Sequence, residues 1–186
     1  LVPIYTATLS AESGGYGVIT NMYAYTALLL VILTYGMETT FFRFSNKEGE
    51  DPQRVYATIL TSVATTSVLF MLLVLAFLHP LSGAMGYGHH PSYVWVMAAT
   101  VAVDAFQCIP FAYLRYKKRP IKFATLKLLN IFMAIALNLM FFLVLPALYA
   151  SHPDTVGTIY NPEVGAGYAF YINLACTATI TFCFYK

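Results

Sequence analysis

The stretch VITNMYAYTALLLVILTYGMETTFFRF, residues 18–44, is a long apolar run that closes on two charges, Glu38 and Arg43. Its length matches the roughly 20 apolar residues that carry a helix across about 30 Å of hydrocarbon. A charge at mid-bilayer costs at least about 2.5–3.5 kcal/mol. The carboxylate and the guanidinium therefore sit where water begins, or they face the interior of a helix bundle.

Outward from this stretch the same pattern recurs. The 186 residues are 59% hydrophobic and 10% charged, with a mean hydropathy of +0.68. A soluble domain carries about 25% charged residues, so the composition is that of a membrane protein. A net charge of +2 gives no argument for a nucleic-acid partner. The runs predict spans at 18–42, 55–78, 92–114, 123–149 and 165–185, with LVPIYT as the outer end of a truncated first helix. Breaker-rich stretches lie between them, among them SNKEGEDPQR, HPLSGAMGYGHHP and YKKRP. No soluble domain interrupts the spans, so residues 1–186 read as one transmembrane bundle. The start without Met and the stop at TFCFYK read as a fragment of a longer polytopic chain.

Lysine and arginine alternate between loops. Arg43, Lys47 and Arg54 mark the loop at 43–54, and Arg115, Lys117, Lys118, Arg119 and Lys122 mark the one at 115–122. The stretches around 7–17, 79–91 and 150–164 have none. Positive residues favour the cytoplasmic side. The basic loops are expected inside and the other three outside.

Polar residues within the spans can be placed by depth. Glu38 precedes Arg43 by five residues, about 7 Å inside the boundary. Lys127 follows Lys122 by the same interval, so Glu38 and Lys127 are the expected ion pair, on different helices at one depth. Arg43 fits a snorkelling anchor as well as a cavity residue. Asp104 is near the centre of its span, with Gln107 one turn on. Its nearest same-face cation is Arg115, about 16 Å along the axis. An acid so placed suits proton or cation coupling, or else a carboxyl that pins helices together. Asn130 and Asn138, with Ala134 between them, form a stripe on one helix face. Asn21 and Asn173 belong to outer halves.

The remaining polar groups read more plainly. Thr58, Thr61, Ser62, Thr65 and Thr66 recur at turn spacing, as expected of a close helix–helix contact. Tyr35 could line a sugar path. Cys108, Cys176 and Cys183 lie in apolar runs and read as small packing residues. Pro110 and Pro146 lie inside spans, where each removes a backbone hydrogen bond. His79, His89, His90 and His152 are external, without metal-ligand spacing. No nucleophile elbow, Walker loop or zinc-protease helix is present. Neither a metal nor a cofactor is expected.

LVPIYTATLSAESGGYGVIT resembles the first helix end and external loop of bacterial polysaccharide flippases. YGMETTFFRF is similar to the end of their second helix, and PFAYLRYKKRPIKFATLKLLN to their inside loop between helices four and five. These flippases belong to the multidrug/oligosaccharidyl-lipid/polysaccharide exporter superfamily. The resemblance implies an all-α polytopic fold of two six-helix lobes, with this chain as most of the N-terminal one. It also implies residence in the bacterial cytoplasmic membrane, where an undecaprenyl-pyrophosphate-linked oligosaccharide would move by alternating access. Membrane lipids and the lipid-linked oligosaccharide are then the partners, with H+ or Na+ as the coupling ion to consider. Glu38, Arg43, Asp104, Lys127, Asn130 and Asn138 are the expected cavity residues. An ion-coupled multidrug antiporter, a lipid II flippase and a membrane glycosyl- or acyltransferase are the alternatives.

Overall fold

A computed structural model describes residues 5–6, 15–88, 90–151 and 164–184. Among them every regular element is helical: α1 (Gly15–Thr34), α2 (Met37–Ser45), α3 (Pro52–Ala76), α4 (Leu78–Ala84), α5 (Pro91–Tyr116), α6 (Pro120–Leu139), α7 (Leu145–Ser151) and α8 (Gly167–Phe184). A π-helical turn, Met140–Val144, joins α6 to α7. Among the described residues five stretches are long and apolar enough to cross a membrane: Tyr16–Ser45, Pro52–Ala76, Pro91–Tyr116, Pro120–Tyr149 and Gly167–Phe184. Most of the external stretches expected at 7–17 and 150–164, with His89 and His152, lies outside the described residues.

Three of these helices begin at a proline, and the sequence shows why. Pro52, Pro91 and Pro120 each occupy the first helical positions. There proline's missing N–H has no partner to lose, and its fixed φ already suits the helix. At α3 the Asp51 carboxylate also accepts from the Gln53 N–H at 3.0 Å, a capping bond. These helices accordingly start one to three residues earlier than hydropathy alone places them. The loop expected at 79–91 is partly helical too, since α4 occupies its first half.

Helix α5 is the centre of the bundle. Its apolar window is 61% buried, against 17% for that of Pro120–Tyr149, and it packs on α1, α3, α6 and α8. Ala98, Ala105 and Ala112 recur every seven residues along it, all fully buried. Small side chains let backbones approach closely where lipid leaves no hydrophobic force between helices. Outward-facing positions are apolar instead: Val31, Val68, Phe132 and Phe182 are each 60% exposed or more. Such a surface is a liability in water and the expected one against acyl chains.

Two sets of contacts fix which ends lie together. The Tyr116 hydroxyl donates to the Ser45 carbonyl at 3.0 Å, joining the ends of α2 and α5. At the opposite end Asn21 donates to the Tyr87 hydroxyl at 3.0 Å, and the Tyr93 hydroxyl donates to the Val164 carbonyl at 2.9 Å. The segments 46–51 and 117–119, with their lysines and arginines, therefore share one end of the bundle. The first crossing is not one helix, as 18–42 would have it. It breaks at Tyr35 and Gly36, whose φ values are +32° and +73°. A side chain at positive φ is disfavoured, so Gly36 makes the break possible. Between α6 and α7, the π-helical turn precedes Pro146, whose ring forbids a regular α-helical bond at that point.

Candidate functional site

The break at Tyr35–Gly36 turns α2 so that Glu38 points inward. There α1, α2, α5, α6 and α8 line an open cavity of about 510 Å³. Four of the six expected residues line it: Glu38, Asp104, Lys127 and Asn130. Arg43 is exposed on α2, outside this lining. Asn138 is buried away from it, accepting from the Tyr5 hydroxyl at 2.6 Å and donating to the Ala134 carbonyl at 2.7 Å. The asparagine stripe of α6 thus divides into one cavity residue and one clasp between helices.

Glu38 does not pair with Lys127. The partner of its carboxylate is Arg115, at 2.5 Å, the one ion pair among the described residues. Depth alone had favoured Lys127. The correction comes from α5, which continues through Tyr116 and so carries Arg115 in its last turn, not in a loop. The Arg115 guanidinium also lies 5.7 Å from the Phe42 ring centre and 5.6 Å from that of Phe123. Lys127 sits over the Phe111 ring, its Nζ 4.3 Å from the centroid, within cation–π range. Both cations are thus held at aromatic faces on the cavity wall.

The middle of the cavity is built around Asp104. It is half-buried and faces Thr177 of α8 and Lys127 of α6. One turn along, Gln107 donates to the Thr177 carbonyl at 2.5 Å and to the Thr181 hydroxyl at 2.7 Å, tying α5 to α8. Asn173 joins the lining from α8. From Asp104 to Arg115 the polar wall covers eleven residues of α5, about 16 Å of axis. Polar groups therefore line a depth, from mid-span to the basic end.

Other expectations are revised by position. The Cys108 thiol is a cavity group, donating to the second Glu38 oxygen at 3.4 Å, whereas Cys176 is fully buried as a packing residue. Tyr35 is exposed and meets Ser62 at 3.1 Å, outside the cavity lining. Part of the hydroxyl run of α3 meets its neighbour, since Ser62 contacts Tyr35, and Thr58 and Ser62 border Met37 and Thr40 of α2; the rest opens outward. Thr58, Thr61, Ser62, Thr65 and Thr66 line an open outer groove. There Thr61 and Thr65 each close back on their own helix at 2.8 Å. Among the described residues no group of three His, Cys, Asp or Glu side chains could hold a metal ion. His90 instead stacks on Tyr93, their ring centres 5.1 Å apart.

Fold and cavity together define a multi-pass helical membrane protein with a charged, aromatic-lined cavity toward its basic end. No protein family, curated relative or solved structure matches the chain.

Proposed function

We propose that this chain forms the N-terminal lobe of a flippase that moves a lipid-linked oligosaccharide, carried on undecaprenyl pyrophosphate, across the bacterial cytoplasmic membrane by alternating access. The observation that carries this reading is the cavity. It brings two cations, two acids, amides and aromatic faces together along about 16 Å of depth. A diphosphate headgroup needs cations, sugars need amides and aromatic faces, and a lipid tail can stay in the bilayer throughout. An enzyme site would concentrate its reacting groups within about 3 Å of one another. A path for a headgroup distributes them, so that the head keeps partners as it crosses.

The test uses the complete protein in cells that make such a glycan. Asp104→Asn and Lys127→Ala should lower delivery to the outer leaflet and leave unflipped lipid-linked glycan on the cytoplasmic side, its chemical structure unchanged. Truncated or unmodified glycan that still reaches the outer leaflet would replace the transporter reading with an enzyme. One observation favours a second reading, an ion-coupled multidrug antiporter of the same fold. Two carboxylates, Glu38 and Asp104, share the cavity with only two cations. Drug-dependent proton or sodium flux through reconstituted protein would decide for that alternative.

A further inference from the structure

The cavity's own charges pose a problem for any anionic cargo. Glu38 and Asp104 balance Arg115 and Lys127, so with all four ionised the lining carries no excess positive charge. Its one ion pair already occupies the arginine. The two partners are not held alike. Arg115 has contacts besides Glu38, with the Phe42 and Phe123 ring centres 5.7 Å and 5.6 Å from its guanidinium. Helix α2 is anchored by Phe41, which is fully buried and packs edge-on against Tyr56 and Tyr116. Besides Arg115, Glu38 is held only by the Cys108 thiol at 3.4 Å, so by turning its own side chain it can give up both contacts and release Arg115 while both helices stay in place.

Building on the reading of an anionic lipid-linked headgroup, we propose that Glu38 is a built-in surrogate anion that determines specificity. It occupies the Arg115 fork, and a headgroup displaces it only by bringing more charge than one carboxylate. The physical basis is competition within one molecule. A tethered carboxylate acts at millimolar or higher effective concentration, so a singly charged ligand gains little by replacing it. A diphosphate offers several oxygens and matches the planar guanidinium in a bidentate way, and Lys127 lines the same cavity as a second cation. Glu38 thereby selects diphosphate-linked cargo over carboxylates and phosphodiesters. Arg115, which is not among the six cavity residues expected from sequence, is the group that binds the head.

The experiment measures binding by titration calorimetry to the full-length protein in nanodiscs. Its probes are inorganic pyrophosphate, farnesyl diphosphate and dimethyl phosphate, which carries one charge. Wild type should bind both diphosphates and leave dimethyl phosphate unbound. Glu38→Gln should bind both diphosphates about tenfold more tightly, having lost its internal competitor, and should acquire binding of dimethyl phosphate. Arg115→Ala should lose about tenfold or more in either background, and Arg115→Lys should recover part of it. Thermal unfolding checks that each variant is folded, and Glu38→Ser replaces Glu38→Gln if that variant is not. Unchanged affinities in Glu38→Gln overturn the proposal. Wild-type affinity in Arg115→Ala overturns it too, while binding that depends on Lys127 leaves the anionic-headgroup reading standing. A gain confined to farnesyl diphosphate also overturns it, because recognition would then lie in the tail. No diphosphate binding to wild type or Glu38→Gln removes both the proposal and the reading beneath it.

Discussion

Helix α5 has a dry face and a wet face about a quarter-turn apart. On the dry face Val101, Ala105, Ile109 and Ala112 close against Leu33, Phe41, Ile59 and Val63 of α1, α2 and α3. On the wet face Asp104, Cys108, Phe111 and Arg115 line the cavity. The difference separates two requirements that a soluble protein usually combines. Between membrane helices there is little hydrophobic force, so contact area and small residues hold the bundle. Charges within a span raise its cost, so a face that keeps them is retained for what it handles. Substitutions on the dry face should therefore lower the amount of folded protein, and those on the wet face should change what it does.

The largest expected effect is an all-or-none test of that division. With the three native cysteines replaced by alanine, Asn130→Cys should react with a water-soluble maleimide. Ala105→Cys, fully buried on the dry side, should not react until the protein is unfolded. Equal labelling of both would abolish the distinction between the faces. The same reagent reads sidedness through exposed positions at the two ends, Asn46→Cys and Ala84→Cys. Ser45 and Ser82, at 5% and 1% exposed, are too buried to report it.

Much of the dry face was legible in the sequence, and the wet face only in part. Runs of apolar residues locate the crossings because crossing length is set by the bilayer. Their starts slip because Pro52, Pro91 and Pro120 look like loop breakers and are in fact first-turn residues. Glu38, Asp104, Lys127 and Asn130 stand out as polar groups in apolar company, and all four line the cavity. Their partners do not stand out. Pairing depends on rotation about the helix axis as well as depth, and the break at Tyr35–Gly36 resets the rotation of everything in α2. Gly36 inside an apolar run was the available signal for that break. Arg115 was hidden by its place beside a basic cluster, which made a helical last turn look like a loop. Asn138 was unreadable for a different reason: its partner, Tyr5, is 133 residues away.

Next in size is a stability contrast between the faces. Ala105→Leu adds bulk where the alanine side chain is fully buried against neighbouring helices. Overpacking of this kind costs about 1–3 kcal/mol, and it should appear as a lower thermal midpoint and a smaller folded fraction in detergent. Glu38→Gln should cost about 0–1 kcal/mol by the same measure, since the side chains of the pair are 42% and 36% exposed. If the leucine is accepted freely while the glutamine unfolds the protein, the assignment of stability to one face and function to the other is reversed.

The smallest effect concerns a flaw on the dry side. Ser67 of α3 is 5% exposed, and its hydroxyl has no hydrogen-bond partner. It borders an almost wholly apolar crevice with Ala99, Ala102, Val103 and Phe106. A few residues earlier on the same helix Thr61, Thr65 and Thr66 each close onto a backbone carbonyl four residues back. Ser67 is therefore the odd hydroxyl in a row of satisfied ones. Leaving a buried hydroxyl unpaired costs about 1–3 kcal/mol, part of which serine recovers in solution whenever its side chain rotates toward its own backbone. Ser67→Ala keeps the small volume that the crevice requires and removes the unpaired atom. It should raise stability by about 0.5–1 kcal/mol, read as a higher thermal midpoint with the folded yield unchanged. A loss of similar size would mean that Ser67 has a polar partner in the membrane. The crevice would then belong with the wet regions of the molecule, and α5 would have polar business on a second side.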